Sequence, residues 1–416
     1  MTTEAQTQLA LHGLKVIDFS QGGAGPYCTQ LLADFGADVI KVEPPRGDWA
    51  REMGVIDEDA GMSGTFMSLN RNKFGMCMDL SQAKAVEIAR LLCADADIVV
   101  EAFRPGVMHR LGLSAKDLRQ GHESLIYCSI SGYGQTGPNV ALPASDSVMQ
   151  AYGGLMSLVG DEGGEPLRVA NIVSDMLTGT NAFASVLLAL NRRHTTGLGG
   201  WVGSSLLDSI VGFQAPILSE YLLTGNPPVR RGNKHPLIAA SGVFKTQDGR
   251  VAFTVLDHYW QSFCESMGIA QETKDLRFLT PQSRMAHRAD VAQTMQDAVA
   301  DRTVREVLDI LGPVGVLCAP VQDYAALVVD PQVHHNELLT EITAGRGVIL
   351  PMVRSPMSLD GPTRKWSAPP RVGEHTELLL KQRLGLNDDQ IAELLQSKTV
   401  IAASPLYQPQ NLGDKA

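Results

Sequence analysis

The sequence lacks the marks of an extracellular, metal-binding, nucleic-acid-binding or membrane-spanning protein. Its six cysteines (Cys28, Cys77, Cys93, Cys128, Cys264, Cys318) are scattered and form no CxxC pair. That argues against a disulfide framework or a zinc site and fits a reducing, cytoplasmic setting. The ten histidines include no HExxH, and the adjacent His334 and His335 lack the helical spacing that two metal ligands need. No block of like charge occurs, and the formal net charge is -10, so no basic stripe exists for a nucleic-acid partner. A local field can still attract an anion against the net sign. The opening MTTEAQTQLALHG has neither the basic nor the apolar region of a signal peptide. No apolar run approaches the roughly 20 residues that cross a bilayer, and there are no repeats or low-complexity tracts. A soluble cytoplasmic chain without a membrane partner is expected.

What is present describes a packed globular protein. Its 416 residues are 44% hydrophobic and 19% charged, long enough for two lobes rather than one core. Leu14 to Ser20 reads as a buried strand, closed by a glycine-rich turn at Gly22-Gly23-Ala24-Gly25-Pro26. Tyr27 to Phe35 suits a helix, with Pro26 in the favoured first turn, and Ala37 to Glu43 suits a second strand. The theme repeats as helix Ala83 to Ala94, strand Asp97 to Phe103 and strand Leu125 to Ile130. Strands alternating with helices imply an α/β sheet with right-handed parallel crossovers. Ligands of such sheets sit beyond the carboxyl ends of the strands, here the loops at 20–26, 43–51, 103–110 and 131–138.

Farther on, Ser174-Asp175 precedes a long apolar helix ending at Gly197. The Pro/Gly-rich stretch from Thr224 to Pro236 reads as a hinge into a smaller unit that begins with a hairpin, GVFKTQDGRVAFTV, turning at Asp248-Gly249. Helices are expected to about 311, then a buried strand at Val314 to Val321. The last 85 or so residues read as loops plus a terminal helix, Asp388 to Gln396.

Four features could carry chemistry. The loop Gln21-Gly22-Gly23-Ala24 allows close backbone approach at a helix N-terminus, where phosphate binds readily. With Glu43 about 20 residues on, it mimics a dinucleotide fingerprint but lacks the last glycine, and a plain tight turn gives the same spacing. Asp175 before an apolar helix is either an N-cap or a carboxylate that the helix dipole keeps ionised and aims at the sheet edge, where it could act as a nucleophile. Arg46, Arg51, Arg71, Lys73, Arg104 and Arg110 lie near strand ends. Each alone reads as surface charge, and several converging would suit a polyphosphate. Tyr133, between two glycines, could line an acyl pocket or simply fill a turn.

The stretches VIDFSQGGAGPYCTQLLADFGADVIKVEPPRGDWAR, LNRNKFGMCMDL, ADIVVEAFRPGVMHRLGL, SISGYGQTGP, ANIVSDMLTGTNAFASVLLALNRRHTTGLG, RRGNKHP, DPQVHHNELL and GEHTELLL resemble, in order, the family III CoA-transferases, the formyl-CoA transferase family. The resemblance covers nearly the whole chain. It implies a Rossmann-like large domain built from both termini (1–224 and 326–416), a small middle domain (225–325), and an interlocked, ring-like homodimer. It implies that Asp175 is the catalytic nucleophile. It also implies that coenzyme A meets Gln21, Gly22, Gly23, Ala24, Lys73, Ala102, Phe103, Arg104, Arg110 and Tyr133.

Some positions depart from the family pattern. Gly23 replaces a glutamine, Ala102 an asparagine, and Pro44 an arginine whose charge Arg46 could supply. These departures argue against oxalate and formate as substrates. A racemase of 2-methylacyl-CoA is the alternative from the same superfamily. It needs a histidine that is Ser145 here, before Asp146, and proton removal and return require two opposed bases. A CoA-binding protein without turnover is a third reading. The expected reaction passes CoA from an acyl-CoA to a carboxylic acid through an aspartyl anhydride and an aspartyl-CoA thioester, without ATP, metal or a permanently bound cofactor. Arg230, Arg231 or His235 near a second carboxylate would favour succinyl-CoA with a short dicarboxylate.

Overall fold

A computed structural model describes residues 8–57, 61–344, 347–360, 362 and 364–403. Their contacts divide the chain into two compact units: one of residues 1–155, 169–220 and 335–416, the other of 156–168 and 221–334.

The first unit is a mixed α/β fold around a seven-stranded sheet. Its strands in chain order are β1 (Lys15–Asp18), β2 (Asp38–Glu43), β5 (Lys73–Met78), β6 (Ile98–Glu101), β7 (Ile126–Ser131), β8 (Gly200–Ser205) and β14 (Val400–Ile401). A two-stranded ribbon, β3 (Ile56–Asp57) with β4 (Met62–Ser63), stands apart. The sheet order is β14-β5-β2-β1-β6-β7-β8, and every pairing is parallel except that of β14 with β5. The helices up to the site are α1 (Ala24–Asp34), α2 (Gly64–Asn70), α3 (Ala83–Ala94), α4 (Val107–Arg110), α5 (Ala115–Leu118), α6 (Asp146–Tyr152), α7 (Val173–Thr196) and α8 (Leu206–Phe213).

Both faces of the sheet are covered, so its strands are apolar on both sides. In β1, Val16 faces the core shared with α1 and α7, while Ile17 faces the core shared with α3 and the helices Thr376–Leu384 and Asp388–Gln396. α1 buries every residue it has. α7 ends where Gly197 adopts φ +75°, the left-handed conformation a helix stop needs.

Three sequence expectations need correction. First, α7 is long and apolar enough, by composition, to cross a bilayer; its apolar residues Ala182, Phe183, Val186 and Ala189 are instead buried in the core. Second, the final segment is more structured than loops. It holds an antiparallel hairpin, β12 (Leu339–Thr343) with β13 (Ile349–Val353), which closes a small core over Met62, Phe66 and Met67. It also supplies two helices and the edge strand β14.

The third correction lies in the second unit. It has a three-stranded antiparallel sheet, β11-β10-β9, from β9 (Ser241–Lys245), β10 (Arg250–Thr254) and β11 (Leu317–Pro320). The β9–β10 turn closes through Thr246 N–H to the Gly249 carbonyl at 3.0 Å. Phe244, Phe253, Trp260, Phe263 and Phe278 form its aromatic core. β11, read as buried, is an edge strand with Leu317 largely exposed.

Candidate active site

The site begins with the loop after β1, which buried charges hold in place. The Asp18 carboxylate accepts from Ser20 N–H (2.9 Å), from the Ser20 hydroxyl and from Thr29 Oγ1 (2.6 Å). Lys41 donates to the Ser20 carbonyl (2.9 Å) and pairs with Asp48 at 2.8 Å; neither side chain of that pair is exposed. Asp48 in turn accepts the Gly22 amide at 3.0 Å. Lys73 donates to the Pro26 carbonyl (2.9 Å), Asn70 Oδ1 (2.8 Å) and Asp18 (3.2 Å). Burial pulls the Lys73 ammonium down to about 8, although Asp18 opposes it. Burial also pushes Asp18 up, but Lys73, Lys41 and the hydroxyls outweigh it and leave the carboxyl below its usual range.

The glycines are there for contact. Gly22 has φ +83°, and a side-chain carbon on it would lie 2.2 Å from the half-exposed Trp49 ring. Gly23 has ordinary φ, yet a side-chain carbon there would lie 2.7 Å from the Asp175 carboxyl carbon.

Asp175 comes from the first turn of α7, one turn before Gly179. At Gly179 a side-chain carbon would lie 2.6 Å from the Ala24 carbonyl, so this glycine lets α7 close onto α1. The Asp175 carboxylate then accepts the Ala24 amide at 3.3 Å. Burial, then the neighbouring Asp146, raises it to about 6, against the pull of that amide. It is not the N-cap of its helix. Ile172 holds that position without a side-chain bond, and the cap comes from Asp146 of α6, which accepts Ser174 N–H at 2.8 Å.

Of the residues the sequence nominates, Gly22, Gly23 and Ala24 share one loop, and Gly23 and Ala24 touch Asp175. Gln21 lies in the same loop, its Oε1 buried without a partner among the described residues. Ala102 lies beside that loop, within 3.5 Å of a side-chain carbon built on Gly25. Phe103 follows, its amide held by Glu101 at 2.9 Å. Burial lifts Glu101 to about 7. Tyr133 packs edge-on against Tyr152, with ring centroids 5.1 Å apart. Arg46, Arg104 and Arg110 are exposed and lack ion-pair partners among the described residues.

The other nominated cations stand elsewhere. Lys73 lies under the loop and is fully enclosed by protein oxygens. Arg51 is locked to Glu43 at 2.7 Å, and Arg71 is locked to Asp34 at 2.6 Å and stacked on Trp366. Glu43 also accepts Asp48 N–H at 2.7 Å, so it is consumed internally and unavailable to a ribose. In the second unit, Arg230 is tied to the Gly164 carbonyl. His235 accepts the amides of Leu237 and Ile238, both at 3.1 Å. Sequence reasoning misses Asp48, Trp49 and Gln150, and reads Asp146 only as the residue after a missing histidine.

Known proteins resemble the chain over most of its length. Residues 11–376 match CoA-transferase family III. A succinate–glutarate CoA-transferase of Agrobacterium fabrum is 32% identical over 390 residues, 92% of this chain and 98% of that one. A succinyl-CoA:mesaconate CoA-transferase of Haloarcula hispanica is 36% identical over 344 residues, covering 80% of this chain and 85% of its own. The crystal structure of a CAIB/BAIF family protein from Brucella suis superposes with a TM-score of 0.83 at 32% identity, covering 91% of this chain and all of that one.

Proposed function

The chain belongs to CoA-transferase family III and is an acyl-CoA:carboxylate CoA-transferase; from that premise we propose that it carries CoA from succinyl-CoA to a short dicarboxylic acid through covalent intermediates on Asp175. The observation that carries the reading is the Asp175 carboxylate set against Gly23 and the Ala24 amide at the α1 N-terminus. A carboxylate half-stripped of water and given one weak hydrogen bond is ionised at neutral pH and a better nucleophile than a solvated one.

The steps balance without an external acid or base. An Asp175 oxygen attacks the succinyl thioester carbonyl; the C–S bond breaks and CoA thiolate leaves a mixed anhydride. The thiolate attacks the aspartyl carbonyl, the anhydride C–O bond breaks, and succinate departs, leaving an aspartyl-CoA thioester. The acceptor carboxylate attacks that thioester and expels CoA thiolate, which then attacks the acceptor's carbonyl and restores Asp175. Each tetrahedral step builds charge on an oxygen. Where that oxygen is one of Asp175's own, the Ala24 amide that already donates to the carboxylate is its donor. The three unpaired arginines, Arg46, Arg104 and Arg110, take the phosphates of CoA.

The dicarboxylate preference rests on the relatives that act on succinate, glutarate and mesaconate. Initial rates with succinyl-CoA and a panel of acids test it. Glutarate or mesaconate exceeding oxalate and acetate by at least about tenfold in kcat/KM supports the reading, and oxalate leading the panel overturns it. An interlocked homodimer belongs to the same proposal. The helix Ala215–Thr224 buries none of its residues and exposes Leu222 and Leu223, apolar surface that a second copy would cover. Light scattering at twice the mass of one chain supports this, and a monomer contradicts it.

A further inference from the structure

α7 begins without a cap of its own, because Ile172 occupies the N-cap and offers no side-chain acceptor. A helix start buried that way needs its amides satisfied from outside. Asp146, the first residue of α6, does this from 28 positions away. Its Oδ1 accepts the Ser174 amide at 2.8 Å and the Ser174 hydroxyl at 2.6 Å. Its Oδ2 accepts Gln150 Nε2 at 2.7 Å. The amide of Gln150, itself fully buried, also brackets the chain entering α7: Nε2 reaches the Val169 carbonyl at 3.1 Å, and Oε1 accepts Val169 N–H at 2.8 Å. One buried carboxylate and one buried amide thus fix residues 169–174, directly before Asp175.

Resting on the covalent reading above, we infer that Asp146, supported by Gln150, is a positioning residue that sets the first turn of α7 and biases Asp175 toward its acylated form. The geometry supplies the first half, since Asp146 holds both the amide and the hydroxyl of Ser174, the residue directly before Asp175. The charge supplies the second half. Asp146 caps Ser174, the neighbour of Asp175, and the two carboxylates repel; acylation of Asp175 removes one of the two charges. Among the described residues Asp146 is the charged group that bears on Asp175; the loop from β1 presents the Ala24 amide, and α1 and α8 add no charge there.

The test compares the native enzyme with Asp146→Asn and Asp146→Ala, incubated with succinyl-CoA and trapped with hydroxylamine, alongside pH profiles of kcat/KM. Asp146→Asn keeps an acceptor for Ser174 N–H but removes the charge and the acceptor for Gln150 Nε2. Its acid limb is expected to move down by about half a pH unit or more, and its equilibrium share of Asp175 adduct to fall at least about threefold. Asp146→Ala, which loses the acceptor too, is expected to lose about tenfold or more in kcat with KM for succinyl-CoA within about twofold. A native adduct combined with a native limb and native adduct share in Asp146→Asn overturns this inference alone. No adduct in the native enzyme overturns the covalent reading and the inference together.

Discussion

A side-chain carbon placed on Gly23 would lie 2.7 Å from the carboxyl carbon of Asp175 and 3.0 Å from its Oδ2. Real side-chain carbons do not approach that closely, so the smallest residue at position 23 is what leaves Asp175 its place. A larger side chain has no room in this arrangement.

Gly23→Ala should therefore cost activity without costing the fold. Its φ of -104° suits any residue, so the added methyl acts by displacing Asp175. We expect kcat to fall about 100-fold or more, with CoA affinity by calorimetry within a few-fold of native. Native kcat in the variant would contradict the contact.

The pH dependence follows from Asp175 being raised to about 6, chiefly by burial. Nucleophilic attack needs the carboxylate, so kcat/KM should fall about tenfold per pH unit below about 6 and be flat above about 7. Stability runs the other way. A carboxyl raised in the folded state stabilises it fully below the unfolded pKa, near 4, and that contribution fades as pH rises through about 6. Asp175→Asn should thus raise Tm at pH 8 and raise it less at pH 4. An equal Tm change at both pH values would contradict the burial.

Much of this site could be read from the sequence, and the reason for what could not is specific. Strand, glycine turn and helix are legible from 14 to 35 because each obeys a local rule of period or turn chemistry. Asp175 stands out because it precedes a long apolar helix. The cap on that helix is invisible locally, since its donor and acceptor are 28 residues apart. Lys73 and Arg51 look like surface charge until their buried partners Asp18 and Glu43 are seen. Strand β8 escapes notice because its sequence GWVGSS is glycine-rich and only half buried. The hairpin at 339–353 shows no turn signature of Asn-Gly or Asp-Gly type.

The buried pair Lys41–Asp48 supplies a stability prediction. Asp48→Ala leaves an enclosed ammonium unpaired and frees the Gly22 amide. Breaking such a pair costs about 3–5 kcal/mol, readable as a lower urea midpoint at unchanged slope. A change below about 1 kcal/mol would mean that Lys41 finds another partner.

The exposed arginines should behave differently. Replacing Arg46, Arg104 or Arg110 with alanine is expected to leave Tm unchanged and kcat within about twofold, while raising KM for the CoA donor several-fold. The effect should shrink as salt is added. An unaltered KM in all three variants would remove them from the phosphate site.

The most direct measurement is the intact mass of the enzyme after incubation with succinyl-CoA, with and without hydroxylamine, for the native chain and Asp175→Asn. The account predicts a CoA-sized adduct on the native enzyme, a hydroxamate at Asp175 after trapping, and neither in the variant, whose turnover is abolished while CoA binding persists. Transfer by the native enzyme with no adduct at Asp175, or substantial turnover by Asp175→Asn, would contradict it.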